Sequence, residues 1–230
     1  MIRLDSGTDS KVWMKEDAYK TVLRTSCIVY MYSALLARRL SPGILFFGGE
    51  SMKNLRKLTT MAILIAVSIA LVALVHFPIF PAVAFLEYDP ADIAILICGF
   101  AFGPLAGICV TAVAAIIQGV TVSAASGIYG IIMHFVATAA LVLTSSSIYR
   151  KNKTKKTAAI SIICGVLAMT LIMIPANLFI TPYFMGCERS MIVDLLPFII
   201  LFNFIKAGAN GLITFFVYKR ISKLIHKFDD

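Results

Sequence analysis

The chain has 230 residues, of which 60% are hydrophobic and only 14% charged. A water-soluble domain carries about 25% charged residues to cover its surface, so a soluble globular fold is excluded. The formal net charge of +9 does not point to nucleic acid, because the cations sit in short clusters between apolar runs, the pattern that orients a membrane protein.

Residues 1–51 read differently from the rest. They are polar, then weakly apolar, and Arg38-Arg39 interrupts their hydrophobic stretch. The basic start, apolar run and small-residue cleavage site of a signal peptide do not occur in that order. Gly48-Gly49-Glu50 back-translates as GGN-GGN-GAR, which can spell a ribosome-binding sequence at suitable spacing from Met52. Residues 1–51 are therefore expected to be a non-native or disordered extension, and 52–230 a membrane unit starting at Met52.

From there the apolar windows predict six helices, at roughly 58–76, 92–103, 105–122, 128–148, 158–180 and 195–218. A bilayer crossing takes about 20 mostly apolar residues. The second window is short, and Gly103-Pro104 separates it from the third. Such segments are tolerated where other helices cover their backbone. The expected fold is an all-α six-helix membrane bundle.

Charge sets its direction. From Met52 onward, twelve of the fourteen Lys and Arg residues fall in three clusters: Lys53, Arg56 and Lys57; Arg150, Lys151, Lys153, Lys155 and Lys156; Lys219, Arg220, Lys223 and Lys227. All three face the cytoplasm under the positive-inside rule only if an even number of spans separates them. Four and two spans meet that condition, giving N-in and C-in termini. The opposite loops hold Glu87, Asp89, Asp92, Glu188 and Asp194 beside Phe85, Tyr88 and Tyr183. That acidic, aromatic face suits capture of a small aromatic ligand.

Some residues are costly to place. Lys206 stands mid-span, where insertion costs about 2.5–3.5 kcal/mol. It is expected to face the bundle interior and pair with an acid, a carbonyl or a ligand. Asn203 and Asn210 share its helical face, making a polar stripe. Pro175-Ala176-Asn177 combines a backbone break with an amide able to satisfy the kink or to read a heterocycle edge. Asp89 and Asp92 are positioned to cap the second helix, with capping assigned to Asp92, while Glu87, Tyr88 and the adjoining Leu86 remain free for a ligand. Ala62, Ala66 and Ala70 make a smooth face at four-residue spacing, suited to a helical partner.

Other chemistry is missing. There is no Gly-x-x-x-x-Gly-Lys-Ser/Thr loop to cradle nucleotide phosphates and no His-Glu-x-x-His pair, so neither an ATPase motor nor a zinc hydrolase is encoded. His76 and His134 stand alone and are read as satisfied structural groups. The five cysteines show no metal or redox spacing.

Four segments carry a family resemblance: Phe85-Leu86-Glu87-Tyr88-Asp89-Pro90-Ala91-Asp92; Gly99 to Gly107; Pro175-Ala176-Asn177 with Thr181-Pro182; and Lys206-Ala207-Gly208-Ala209-Asn210. From Met52 onward the chain resembles the substrate-binding S components of energy-coupling factor (ECF) vitamin transporters, riboflavin-specific type. The resemblance implies a multi-pass protein of the cell membrane that takes riboflavin, or FMN, from outside as transported ligand, with no cofactor. It implies partners in the bilayer and beneath it: a transmembrane coupling subunit docking on Ala62, Ala66 and Ala70, and two cytoplasmic ATPases. The chain itself would not be an enzyme. Leu86, Glu87, Tyr88, Asn177, Lys206 and Asn210 would contact the flavin, and Gly127 and Gly130 would admit its ring against backbone. His134 stands where the resemblance implies asparagine. The competing readings are an S component for thiamine, pantothenate or a queuosine precursor, and a membrane transferase holding Mg²⁺ on Asp89 and Asp92.

Overall fold

The computed structural model describes residues 50–226, so the expectation for residues 1–51 falls almost wholly outside it. The order of elements is α1 (Glu50–Leu74), β1 (Phe77–Pro78), a 3-10 turn (Pro81–Val83), β2 (Glu87–Tyr88), α2 (Ala91–Phe102), α3 (Pro104–Val120), a second 3-10 turn (Ala124–Ser126), α4 (Gly127–Lys151), α5 (Lys155–Met185) and α6 (Arg189–His226). The described chain is thus helical apart from one two-residue hairpin. Four helices, α1, α4, α5 and α6, are long and apolar enough to cross a membrane, and α2 and α3 are shorter apolar helices.

The short α2 is the centre of the bundle. Every residue from Ala91 to Phe100 is buried, as expected of a helix that is apolar on all sides. Its 12 residues reach about 18 Å at 1.5 Å per residue, well under the bilayer core of about 30 Å. Neighbouring helices therefore cover it. Gly103 turns the chain at φ 92°, and Pro104 opens α3 at the position where its missing N–H costs nothing. The two helices then pack closely, since a Cβ on Gly107 would lie 3.2 Å from Gly99 Cα and run into Val142.

Two expected boundaries move. Helix α5 was expected to stop near residue 180 but runs through Pro175 and Pro182 to Met185, where Gly186 ends it in the left-handed region at φ 63°. Packed neighbours let a membrane helix pass a proline. Helix α6 begins at Arg189, ahead of its apolar window.

The connection at 77–91 is an ordered hairpin rather than a plain loop. Phe77 pairs with Tyr88 and Pro78 with Glu87, and the rings of Phe77 and Tyr88 lie 5.5 Å apart. Val83 is sealed against Ile192 and Ile199 of α6. At the other end of the bundle the rings of Phe100, Tyr149 and Tyr218 pack in tilted and edge-to-face contacts with centroids 4.7 to 5.8 Å apart. Lys57 sits 6.0 Å from the Phe102 ring, and Lys153 and Lys155 flank Tyr149 and Tyr218. Members of the basic clusters in the first turns of α1 and around the α4–α5 turn therefore gather at one end, with the hairpin at the other.

Candidate ligand cavity

A lysine in the middle of an apolar helix needs a counter-charge, and the hairpin supplies it. Lys206 Nζ donates to Asp89 Oδ2 at 2.7 Å, with both groups buried. The second Asp89 oxygen accepts from the Ala91 N–H at 3.1 Å, so Asp89 rather than Asp92 meets an orphan donor of α2. Burial alone would push the Asp89 carboxyl up. The Lys206 ammonium, the nearby His134 and the hydrogen bonds from Lys206 and Ala91 together outweigh this and hold the group below the usual carboxylate range.

Asp92, expected to cap, does other work. It lies within the first turn of α2, fully buried, and accepts from Thr138 of α4 at 2.6 Å and from Asn210 of α6 at 3.0 Å. Asn210 also donates to the Asp89 carbonyl at 2.9 Å and accepts from the Tyr88 hydroxyl at 2.9 Å. Burial, then the negative charges of Asp89 and Asp92, raise the Tyr88 phenol above its ordinary value and keep it a donor. This network fastens the hairpin and the start of α2 to α4 and α6.

Beside it opens a cavity of about 970 Å³, counted with its mouth. Of the sequence-predicted residues, Leu86, Glu87, Gly130, Asn177 and Lys206 line it. Tyr88, Asn210 and Gly127 do not; the first two stand in the network behind it. Gly127 instead opens α4 at φ 52°, in the left-handed region that favours glycine. Ala62, Ala66 and Ala70 lie along α1 half-buried, next to the buried Ile65 and Ile69.

Asn177 is already paired inside α5. Its amide donates to the Met173 carbonyl at 2.8 Å and accepts from Thr181 at 3.0 Å. The carbonyl freed by Pro175 belongs to Leu171, one turn before the proline, so Asn177 does not serve the kink. Asn203, named in the polar stripe, lines the cavity and donates to the Ile199 carbonyl at 2.8 Å. Sequence reasoning missed Gln118 as a lining residue, although a lone amide in the apolar run of α3 is a readable signal. His134 also lines the cavity, and its Nε2 is buried without a partner. The expectation of a satisfied structural histidine is corrected.

The Asp89–Asp92 pair does not suit Mg²⁺. Both carboxylates are committed to Lys206, Ala91, Thr138 and Asn210, and among the described residues no three acidic, His or Cys side chains converge. Such an ion takes free oxygen ligands.

Comparison with known proteins gives a consistent set. A model of the family "ECF transporter, substrate-specific component" matches residues 56–218. Riboflavin transporter FmnP of Bacillus subtilis is 30% identical over 122 residues, 52% of this chain and 63% of that protein, so this match spans less than two thirds of the relative. Riboflavin transporter RibU of Staphylococcus aureus is 25% identical over 184 residues, covering 77% of this chain and 96% of the relative. RibU of Streptococcus thermophilus is 29% identical over 175 residues, 70% and 82% of the two chains. A solved structure of the S component of a bacterial ECF transporter superposes with a TM-score of 0.66 at 27% identity, covering 74% of this chain and 96% of that one.

Proposed function

We propose that this chain, which belongs to the substrate-specific components of ECF transporters, is the riboflavin-binding subunit of a vitamin uptake system. It is a multi-pass protein of the cell membrane. The observation that carries the ligand reading is the cavity itself. A buried ammonium and several amides converge on a space walled by Phe85, Tyr129, Phe184 and Phe202. Aromatic walls take the faces of a flat heterocycle, and amides and an ammonium read its polar edge and a hydroxylated chain. Three relatives carrying the name riboflavin transporter support flavin over thiamine, pantothenate or a queuosine precursor.

In this reading Leu86, Glu87, Gly130, Asn177 and Lys206 touch the flavin. Tyr88 and Asn210 act one layer back by fixing Asp89 and so the position of Lys206, while Gly127 sets the entry of α4. The hairpin end faces outward, the basic end faces the cytoplasm, and all six helices count as spans. The clustering of Lys57, Lys153 and Lys155 at one end supports this orientation. The chain binds and does not catalyse; two ATPases drive a coupling subunit that docks on the Ala62, Ala66 and Ala70 face.

The test is a titration of purified protein with riboflavin, read by quenching of flavin fluorescence. Saturable one-to-one quenching is expected. A colourless protein that leaves flavin fluorescence unchanged would falsify the proposal.

A further inference from the structure

Among the described residues, four buried side-chain atoms lack a hydrogen-bond partner: His134 Nε2, Ser145 Oγ, Ser146 Oγ and Tyr218 OH. The two serines are wedged where α4 meets other helices, Ser146 against Gly99 and Ser145 against Gly165. Tyr218 belongs to the aromatic cluster at the basic end. Of the four, His134 alone lines the large cavity.

Its position on α4 is informative. Gly130, Met133, His134 and Ala137 all line the cavity, the i, i+3, i+4, i+7 spacing of a single helical face. Gly130 and Ala137 bring no side-chain donor or acceptor, and a thioether is a weak acceptor. Beside the hydroxyl of Tyr129 near the start of the helix, His134 is the strong hydrogen-bonding group that α4 brings to the cavity. Among the polar side chains that line the cavity elsewhere, Lys206 is engaged with Asp89, Asn203 with Ile199, and Asn177 with Met173 and Thr181. His134 also stands within electrostatic range of Asp89 and Lys206. A buried polar atom left without a partner needs an explanation, and a ligand entering the cavity supplies one.

We propose that His134 is a direct ligand contact and a specificity determinant, pairing through its imidazole with a polar atom of the flavin. This rests on the riboflavin reading above. The partner atom is a hydrogen-bonding group of the ring system or a hydroxyl of the ribityl chain. Losing the imidazole leaves that atom desolvated and unpaired, a cost that separates correct from incorrect ligands.

The test uses the full chain in detergent, titrated with riboflavin and with lumiflavin, which lacks the ribityl hydroxyls. H134L should raise the riboflavin Kd about 10-fold or more, whereas H134N and H134Q, which retain hydrogen-bonding groups, should stay within about threefold. If H134L weakens lumiflavin equally, the contact is to the ring; if lumiflavin is unaffected, it is to the ribityl chain. H134L binding riboflavin as tightly as the unmutated protein overturns the proposal. Should H134L not fold, ¹⁵N-histidine spectra of the unmutated protein decide. The imidazole signals absent from H134Q should move on saturation with riboflavin, and unmoved signals overturn the proposal. An unmutated protein that binds no flavin removes the riboflavin reading and this one together. One that binds while H134L binds equally removes only the role of His134.

Discussion

Lys206 and Asp89 form a buried ion pair in the cavity wall, 117 residues apart in sequence and 2.7 Å apart in space. Removing one member of such a pair strands the other charge, at a cost of about 3–5 kcal/mol, whereas apolar replacement of both is often nearly neutral. K206M alone should therefore lower the unfolding midpoint in detergent markedly, and D89L/K206M should restore most of it. Flavin affinity should be lost in both variants. A double variant that regained affinity together with stability would confine Lys206 to a structural role. The same pair sets an acid limit. The Asp89 carboxyl is held below its unfolded value of about 3.9, so its contribution is complete above that value and disappears as pH falls through the lower folded one. Unfolding midpoints recorded from pH 3 to 7 should fall more steeply below about pH 4 for the unmutated protein than for D89L/K206M. At this scale the sequence discloses the need but not the partner. A mid-span lysine must be paired on energetic grounds, yet nothing in residue spacing selects Asp89 over Asp92 or a carbonyl. The capping expectation for Asp92 failed for the same reason. Local helix-start chemistry lost to long-range donors on Thr138 and Asn210.

At the scale of elements, hydropathy located all six helices, because each window is apolar for the length its surroundings require. Their ends were less legible. The expected window of α5 already spans Pro175 but ends before Pro182, and that second proline too is passed when packed neighbours surround the helix. The hairpin was invisible because it forms only two pairs and is held mainly by contacts with α6, which local pattern does not encode. The Gly-rich α2–α3 segment was readable as a break, though its tight crossing was not. With Gly99 Cα 3.2 Å from where a Gly107 Cβ would stand, a valine has no room between α3, α2 and α4. Overpacking of this kind costs about 1–3 kcal/mol. G107V should accordingly lower the unfolding midpoint without touching the cavity, and the folded fraction should still bind flavin with unchanged Kd. A variant as stable as the unmutated protein would show that this crossing is looser than described.

For the whole molecule, the distribution of charge carried the furthest inference. The even-span argument needs nothing but counting, and it requires every basic cluster to lie on one side. The aromatic cluster at Phe100, Tyr149 and Tyr218, flanked by Lys153 and Lys155, lies at the end of the bundle opposite the hairpin. In the proposed orientation that side is the cytoplasm, where cation-rich short loops are retained. The consequence can be measured with two reporters. Cys187 lies in the α5–α6 connection and packs against the Val83 cluster at the hairpin end, whereas Asn152 is exposed in the α4–α5 connection at the basic end. In a background with every other cysteine replaced, Cys187 should react with a membrane-impermeant maleimide on intact cells. A cysteine placed by N152C, in a chain also lacking Cys187, should react only after permeabilisation. The reverse pattern would place the cavity mouth in the cytoplasm, where a capture subunit could not collect its ligand from outside. Equal labelling of both sites on intact cells would break the even-span count that joins the three basic clusters to one face.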